Sequence, residues 1–569
     1  MPKRLFFANG GAPYAGYTRG QTLENSGLRR AGVLATLIVI ALLTACGGGG
    51  GSSTPGTAPQ NPGAPIVSST PSTTPGPGVT QTPTPTPAPT VTASTAPQGP
   101  TILPNTTGRF GMIQLTDNYG NNDSGQPLGP MSASNIQTES AHYDAVWGAF
   151  EPSTWIGAPN REPGQILSRY EIPFEDEYLV SGCNLSCWQA QHPDWILYAC
   201  DGNGNPTQDL PWTGSGFAND VPLDIHNQNV VNYQVNQLVA YMQANGYNAL
   251  AVDQVTFENF LLAPNPEFNE SCPTSDPSKC STWYACGSYS GANGSFVYRY
   301  GGPGESDRNN TNDTAFNNDV LNWLSTAHTA LAAAGLKLLV NHPVFDSSPN
   351  SLESQMLQYV DGIVVENGFT KYGLYMYAGL PGLFTQTLSW MQYAQASNKA
   401  VFITDYYCED GHVPTDANGD PGAACSYDPS TLSSAQVDWA LSTYAIANNG
   451  GADVYISPAN IDNYSWRPEY AATYGAPCGA ATQNGNVYMR QFQNGLAIVN
   501  ASYTQQSVTL PAGNSYSDIE GRGTFSGSMA LGPPDGYMLL LQSGSGCGGS
   551  SSSTHRLQPN TIHTPVHWR

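Results

Sequence analysis

Positive charge is scarce in this chain. Its 569 residues carry 19 Lys and Arg against 42 Asp and Glu, a formal net charge of −23, and charged residues of all kinds make up only 11%. So few cations argue against nucleic acid or an anionic membrane face as partner, because both are held by clustered Lys and Arg. The acidity suits a cationic polymer as ligand and, equally, a solvated acidic surface. The apolar stretch from Ala31 to Leu43 is too short for a stable membrane span. Also missing are a Gly-x-Ser-x-Gly elbow, a His-Glu-x-x-His helix and a phosphate-cradling Gly-Lys-Thr phrase. Asp201-Gly202-Asn203-Gly204-Asn205-Pro206 starts like a calcium loop, but Pro replaces the sharp-turn Gly and the twelfth position lacks Glu. It reads as a turn, and no metal or organic cofactor is expected.

What is present begins with an address. Lys3, Arg4, Arg19, Arg29 and Arg30 precede the Ala31 to Leu43 run, which has the length of a signal-peptide core and closes on Leu43-Thr44-Ala45-Cys46. This resembles the bacterial lipoprotein signal. The resemblance implies that Cys46 becomes the lipidated first residue of the mature protein; the alternative is an ordinary secretory signal with an incidental Cys. Either way the protein is exported. With Gly47 rather than Asp after the Cys, the expected place is the cell envelope, anchored to a membrane through Cys46 at the outer membrane or cell surface. Residues 47–100 are Gly, Ser, Thr and Pro with almost no large apolar side chain, so they cannot bury a core and read as a disordered tether. Residues 544–569 read as a disordered tail.

Beyond Cys46 there are ten Cys, an even number, read in an exported chain as disulfides. Cys183 is expected to pair with Cys187 and Cys408 with Cys425, with further pairing among Cys200, Cys272, Cys280, Cys286, Cys478 and Cys547. Zinc is the rival, but no Cys pair has a Cys or His pair at finger spacing.

Eight short apolar runs predict strands: Phe110 to Leu115, Ala145 to Phe150, Ile166 to Ile172, Ala249 to Val255, Lys337 to Asn341, Gly362 to Glu366, Ala400 to Asp405 and Asp453 to Ser457. Helical patterns at Val230 to Ala244, Phe316 to Ala334, Leu383 to Ala396 and Ser433 to Asn448 separate the later ones, and Gly246, Gly335 and Gly450 stand where left-handed C-caps want Gly. Alternation of this kind over residues 101–480 predicts an α/β fold, a (β/α)8 TIM barrel. Trp195 to Cys200 is a ninth strand-like run, assigned to a hairpin in the loop after the third strand. After Gly485 the pattern turns to short alternating strands with polar turns, so residues 481–543 predict a small C-terminal antiparallel β domain packing against the barrel.

Two of the barrel runs end in acids: Ala249-Leu250-Ala251-Val252-Asp253 and Gly362-Ile363-Val364-Val365-Glu366. In a parallel barrel the C-terminal strand ends form the active face, and a facing carboxylate pair there is the minimum equipment for glycoside hydrolysis. Either acid alone could cap a helix or pair with an Arg. Asn245-Gly246-Tyr247-Asn248-Ala249-Leu250-Ala251-Val252-Asp253 resembles the strand of glycoside-hydrolase-like barrels that ends in a catalytic Asp. Tyr359-Val360-Asp361-Gly362-Ile363-Val364-Val365-Glu366-Asn367 is similar to the strand carrying the partner Glu in endo-α-1,4-polygalactosaminidase relatives and in the glycoside-hydrolase-like proteins, and His192-Pro193-Asp194-Trp195-Ile196-Leu197 followed by Gly202 matches a loop phrase of the glycoside-hydrolase-like group. A Cys-rich insertion from Pro264 to Asp313 departs from that pattern, so the substrate class is not carried over.

Together these residues read as a surface-tethered glycoside hydrolase acting on an extracellular or cell-wall polysaccharide, with Asp253 as nucleophile and Glu366 as general acid. The alternative is a barrel that binds carbohydrate without cleaving it. Asp117, Glu171, Asn341 and Asp405 at strand ends are expected to bind hydroxyls or tune the pair, with Asp405 the main challenger for a catalytic role. His342 lines the site or is structural. Tyr119, Trp147, Tyr372, Tyr406 and Trp466 are the aromatics placed to stack on sugar rings, each with core packing as its alternative. Glu258 and Asp361 are set aside, the first as loop, the second as lying at the stabilising end of the barrel.

Overall fold

Runs of four to six residues, most of them rich in Val, Ile, Leu and Ala, make the strands of the central sheet, and the computed structural model shows eight of them hydrogen-bonded in parallel. They are β1 (Ile113–Thr116), β2 (Ala145–Gly148), β3 (Ile166–Glu171), β4 (Ala249–Val252), β5 (Lys337–Asn341), β6 (Gly362–Glu366), β7 (Ala400–Thr404) and β8 (Val454–Ser457), neighbouring one another in chain order. A parallel bridge between Met112 and Ile456 joins β8 to β1, and the sheet closes as a barrel. Residues 1–105, 107, 117–130, 172–174, 201–203, 207–219, 254, 258, 260–283, 292–293, 301–312, 343–347, 367, 372–373, 376–382, 406–431, 450–452, 458–465, 503 and 548–569 lie outside the described residues. Among the described residues no helix is long and apolar enough to cross a membrane.

A helix follows each of the first seven strands: α1 (Ala133–Glu139), α2 (Pro152–Ile156), α3 (Gln228–Asn245), α4 (Thr314–Ala333), α5 (Ser351–Tyr359), α6 (Leu383–Ala396) and α7 (Ser434–Ala447). The four longest match the sequence expectation. The shorter α1, α2 and α5 offer too few turns to show a period. Caps set the starts of α1 and α5 instead: Ser132 accepts from the Asn135 N–H, and Asn350 with Glu353 forms a reciprocal capping box. Gly246 ends α3 at φ +80°, a left-handed conformation that favours Gly.

Within its own loop, Trp195 to Cys200 pairs antiparallel only through isolated bridges, Ile196 with Leu223 and Cys200 with Pro206, rather than as a two-stranded hairpin. After a short 3-10 turn at Pro193–Trp195, the strand Tyr198–Cys200 pairs antiparallel with Tyr284–Tyr289, which pairs in turn with Phe296–Tyr298. The loop after β3 is thus sewn to the loop after β4, and the Cys200–Cys286 disulfide locks the seam. Cys183–Cys187 and Cys478–Cys547 are also bonded; Cys272, Cys280, Cys408 and Cys425 lie outside the described residues.

The C-terminal region forms a six-stranded antiparallel sheet, in the order Thr482–Asn484, Val487–Gln491, Gly495–Asn500, Asp535–Ser543, Ser515–Asp518 and Thr524–Ser526. A two-stranded ribbon of Gln506–Thr509 and Ser528–Leu531 accompanies it. The sheet packs on α7, whose residues from Val437 to Ala447 are all buried. Such a helix, enclosed all round, lies between two layers rather than at a surface. Gly536 permits the close approach, since a Cβ there would sit 2.9 Å from the Trp439 Cα. Arg522 clamps the same seam, its Nε 2.6 Å from Asp438 of α7 and its Nη1 2.9 Å from Asp535.

Candidate active site

Alternation along the strands sorts the side chains at the barrel mouth. Ile166 and Tyr170 of β3, Ala249 and Ala251 of β4, Leu339 of β5, Val364 of β6 and Phe402 of β7 form one interior cluster. Their neighbours Leu167, Leu250, Val340, Val365 and Ile403 pack outward in the helix-facing core. Continuing this period of two places Asp253, Asn341 and Glu366 on the interior side of the rim, and Glu171 and Asp405 on the helix side.

Because β5 lies between β4 and β6, the residue ending β5 stands between the two acids. Asn341 Nδ2 donates to Asp253 Oδ1 at 2.8 Å and to Glu366 Oε2 at 3.0 Å. Both N–H bonds of one amide are used, with the amide nitrogen turned toward the two acids. Sharing one donor at these distances holds the two oxygens within about 6 Å of each other, close to the roughly 5–5.5 Å of a nucleophile and acid in a retaining glycosidase. Tyr170 donates its hydroxyl to Asp253 Oδ2 at 2.8 Å, so both Asp253 oxygens accept hydrogen bonds. Asp253 is fully enclosed (0% exposed), whereas Glu366 is half-buried. Thr404, in register with Glu366 on β7, adds a buried hydroxyl with no hydrogen-bond partner among the described residues.

The structure therefore brings Asp253, Glu366 and Asn341 together and separates several other expected site residues from them. Trp147 packs in the interior layer at 1% exposure, 6.2 Å from the Phe402 ring, and presents no face to solvent. His342 belongs to the structural alternative: Nδ1 lies 2.7 Å from the Val255 carbonyl and Nε2 3.1 Å from Glu353 Oε1. Burial pushes the Glu353 carboxyl up, but hydrogen bonds from His342 and the Asn350 backbone outweigh it and hold it below the usual range. Glu171, buried on the helix side, lies 3.8 Å from Arg169, whose guanidinium sits over the Tyr241 ring of α3. Asp405 accepts the Phe369 N–H at 2.9 Å rather than facing Glu366, and burial raises its carboxyl to about 7. Strand-end position selected these two acids, and alternation turns them outward. Trp466 stacks on His142 at 4.3 Å. Asp361 binds Lys337 (3.2 Å) and the Leu338 N–H at the opposite end. Asp117, Tyr119, Glu258, Tyr372, Tyr406 and Cys46 lie outside the described residues.

Tyr170 is the contributor that strand-end reasoning missed. Its signal lay in Ile166-Leu167-Ser168-Arg169-Tyr170-Glu171, where reading every second residue from Ile166 selects Tyr170 and passes over Glu171. Among the described residues no group of three His, Cys, Asp or Glu side chains is placed to hold a metal ion.

No family model matches this chain, and no curated protein matches it. Among solved structures it is similar to Ega3 of Aspergillus fumigatus, in complex with galactosamine, at 11% identity over 53% of this chain and 79% of that one, TM-score 0.26. A noncanonic maltogenic α-amylase, AmyB, from Thermotoga neapolitana matches at 11% identity over 76% and 99%, TM-score 0.36. An α-amylase from Geobacillus thermoleovorans, complexed with acarbose, matches at 9% over 78% and 100%, TM-score 0.35. Likeness at this level leaves the functional reading to the site's own residues.

Proposed function

We propose that this chain is a glycoside hydrolase, tethered to the cell envelope by a lipid on Cys46, that cleaves an extracellular or wall polysaccharide with Asp253 and Glu366. The observation that supports this reading most is the Asn341 amide, which holds two carboxylates from different strands within about 6 Å at the C-terminal rim. Asp253, accepting hydrogen bonds on both oxygens, is suited to be the ionised nucleophile: it attacks the anomeric carbon as Glu366 gives its proton to the departing oxygen. Water then displaces Asp253 while Glu366 takes back a proton, so configuration is retained and no redox or metal partner enters the balance.

The complete enclosure of Asp253 favours a second reading, a barrel that binds carbohydrate without cleaving it. One experiment separates the two. The exported chain is incubated with a panel of polysaccharides, amino-sugar polymers included, and reducing ends are measured for the wild type and for a double variant, Asp253→Asn with Glu366→Gln. New reducing ends from the wild type alone, with the first-formed anomer matching the substrate, establish the hydrolase. Binding without new ends establishes the second reading. For the tether, Cys46→Ser is expected to release the protein from the membrane fraction; unchanged partitioning and mass would refute it.

A further inference from the structure

Glu366 ends β6, and the chain leaves it through a turn in which the Gly368 N–H donates to the Val365 carbonyl at 3.1 Å. The next residue, Phe369, is held from two sides: its N–H donates to Asp405 Oδ1 at 2.9 Å, and its carbonyl accepts the Trp439 indole N–H at 3.3 Å. Phe369 is itself fully buried, its ring 4.8 Å from that of Phe384. The fit at Gly368 is tight. At φ +43° a Cβ there would lie 2.2 Å from Asp405 Oδ1 and 2.6 Å from Ile403 Cγ2, a clash that only Gly avoids. Asp405 is in turn anchored by its own N–H, which donates to the Ser457 carbonyl at 3.1 Å.

We propose that Asp405 is a positioning residue for Glu366: its carboxylate oxygen fixes the turn after β6 and so sets where the Glu366 side chain stands. Resting on the hydrolase reading for its consequence in catalysis, it assigns to Asp405 neither substrate contact nor proton transfer. The physical requirement is one acceptor oxygen at the Phe369 N–H, not a charge. Asp405 Oδ2 is buried with no hydrogen-bond partner among the described residues, so Asn, which keeps the acceptor and the shape, preserves the clamp, and Ala removes it.

The test uses the full exported chain as wild type, Asp405→Asn, Asp405→Ala and Gly368→Ala, with circular dichroism as the folding control. Amide exchange by mass spectrometry is read on peptides spanning 365–371, alongside kcat and KM on whichever polymer the wild type cleaves. Asp405→Ala and Gly368→Ala are expected to speed exchange in that peptide at least tenfold and to lower kcat about tenfold or more with KM within twofold. Asp405→Asn is expected to stay within threefold of wild type in both. Unchanged exchange in Asp405→Ala overturns the proposal, as does an equal loss of kcat in the Asn and Ala variants, which would make the charge itself the active element. Should Asp405→Ala fail to fold, Asp405→Asn against Gly368→Ala decides the same question. A wild type that cleaves nothing defeats the hydrolase reading alone, and exchange still decides the clamp.

Discussion

Two sets of acids stand at the C-terminal ends of barrel strands, Asp253 and Glu366 on β4 and β6 and Glu171 and Asp405 on β3 and β7, and they take opposite faces. On the interior side, Asp253 and Glu366 share one amide, and Glu366 reaches the surface. On the helix side, Glu171 and Asp405 are sealed in the shell between sheet and helices, each an odd number of residues out of phase with the interior positions of its strand. A strand end delivers a residue to the active rim, but its parity decides whether the side chain meets substrate or core. The two environments also treat charge differently. The enclosed Asp253 and the half-buried Glu366 are held in place by a neutral donor, whereas burial in the shell lifts Asp405 to about 7, the response of a carboxyl with little to replace its lost water.

This contrast breaks most clearly by substitution of the interior pair. Glu366→Gln should lower turnover by about a hundred- to ten-thousand-fold, the range for losing a general acid, and least on substrates with activated leaving groups. Asp253→Asn should fail on all substrates. Circular dichroism should show both variants folded, and turnover of the unactivated polymer within tenfold of wild type in either would refute its assigned role.

Asp405 gives the next largest effect, one of stability. Its folded-state value of about 7 lies above the ordinary 3.8, so the native state holds the proton more tightly than the unfolded state does. Stability should therefore fall as pH rises from about 4 to 7 and level off above, by at most about 4 kcal/mol from this group. Urea titrations across that range should show the slope in the wild type and a reduced slope in Asp405→Asn.

Smaller losses should come from the donors. Asn341→Ala leaves two carboxyl groups without their shared N–H groups and should cost about 1–3 kcal/mol of transition-state stabilisation, read as a roughly 5- to 160-fold drop in kcat/KM. Tyr170→Phe removes one hydrogen bond from Asp253 and should cost about 1 kcal/mol. The smallest effect sharpens the comparison from the other side: Glu171→Gln, on the shell, should leave kcat within about threefold. A loss as large as that of Glu366→Gln would show that parity had misplaced it.

Much of this was legible in the chain. The eight strands, the long helices and the two terminal acids are local features, written in runs of β-branched residues and their ends, and Lys337 to Asn341 and Gly362 to Glu366 agree with the structure residue for residue. Parity was legible too: stepping by two from Ala249 to Asp253 and from Gly362 to Glu366 marks one face, and the same step from Ala400 passes over Asp405. The strand-end criterion alone did not use it. The pairing of Tyr198–Cys200 with a strand more than eighty residues on was invisible, because a three-residue strand carries no mark of its partner and the Cys200–Cys286 bond is one of many possible connectivities.

What the sequence by itself determined is therefore the inventory: short buried strands alternating with helices, a β-rich C-terminal region and acids delivered to one rim, all set by nearest-neighbour patterning of apolar and polar side chains. The tertiary structure decided the relations among them. Closure of the barrel put β5 between β4 and β6, and only then did Asn341, separated by 88 residues from one acid and 25 from the other, become the donor they share. It also decided that α7 is covered on both sides and that Asp405 meets a backbone N–H instead of the cleft. Hydrogen-bond partners of this kind are set by register and packing between distant segments, which no local pattern encodes.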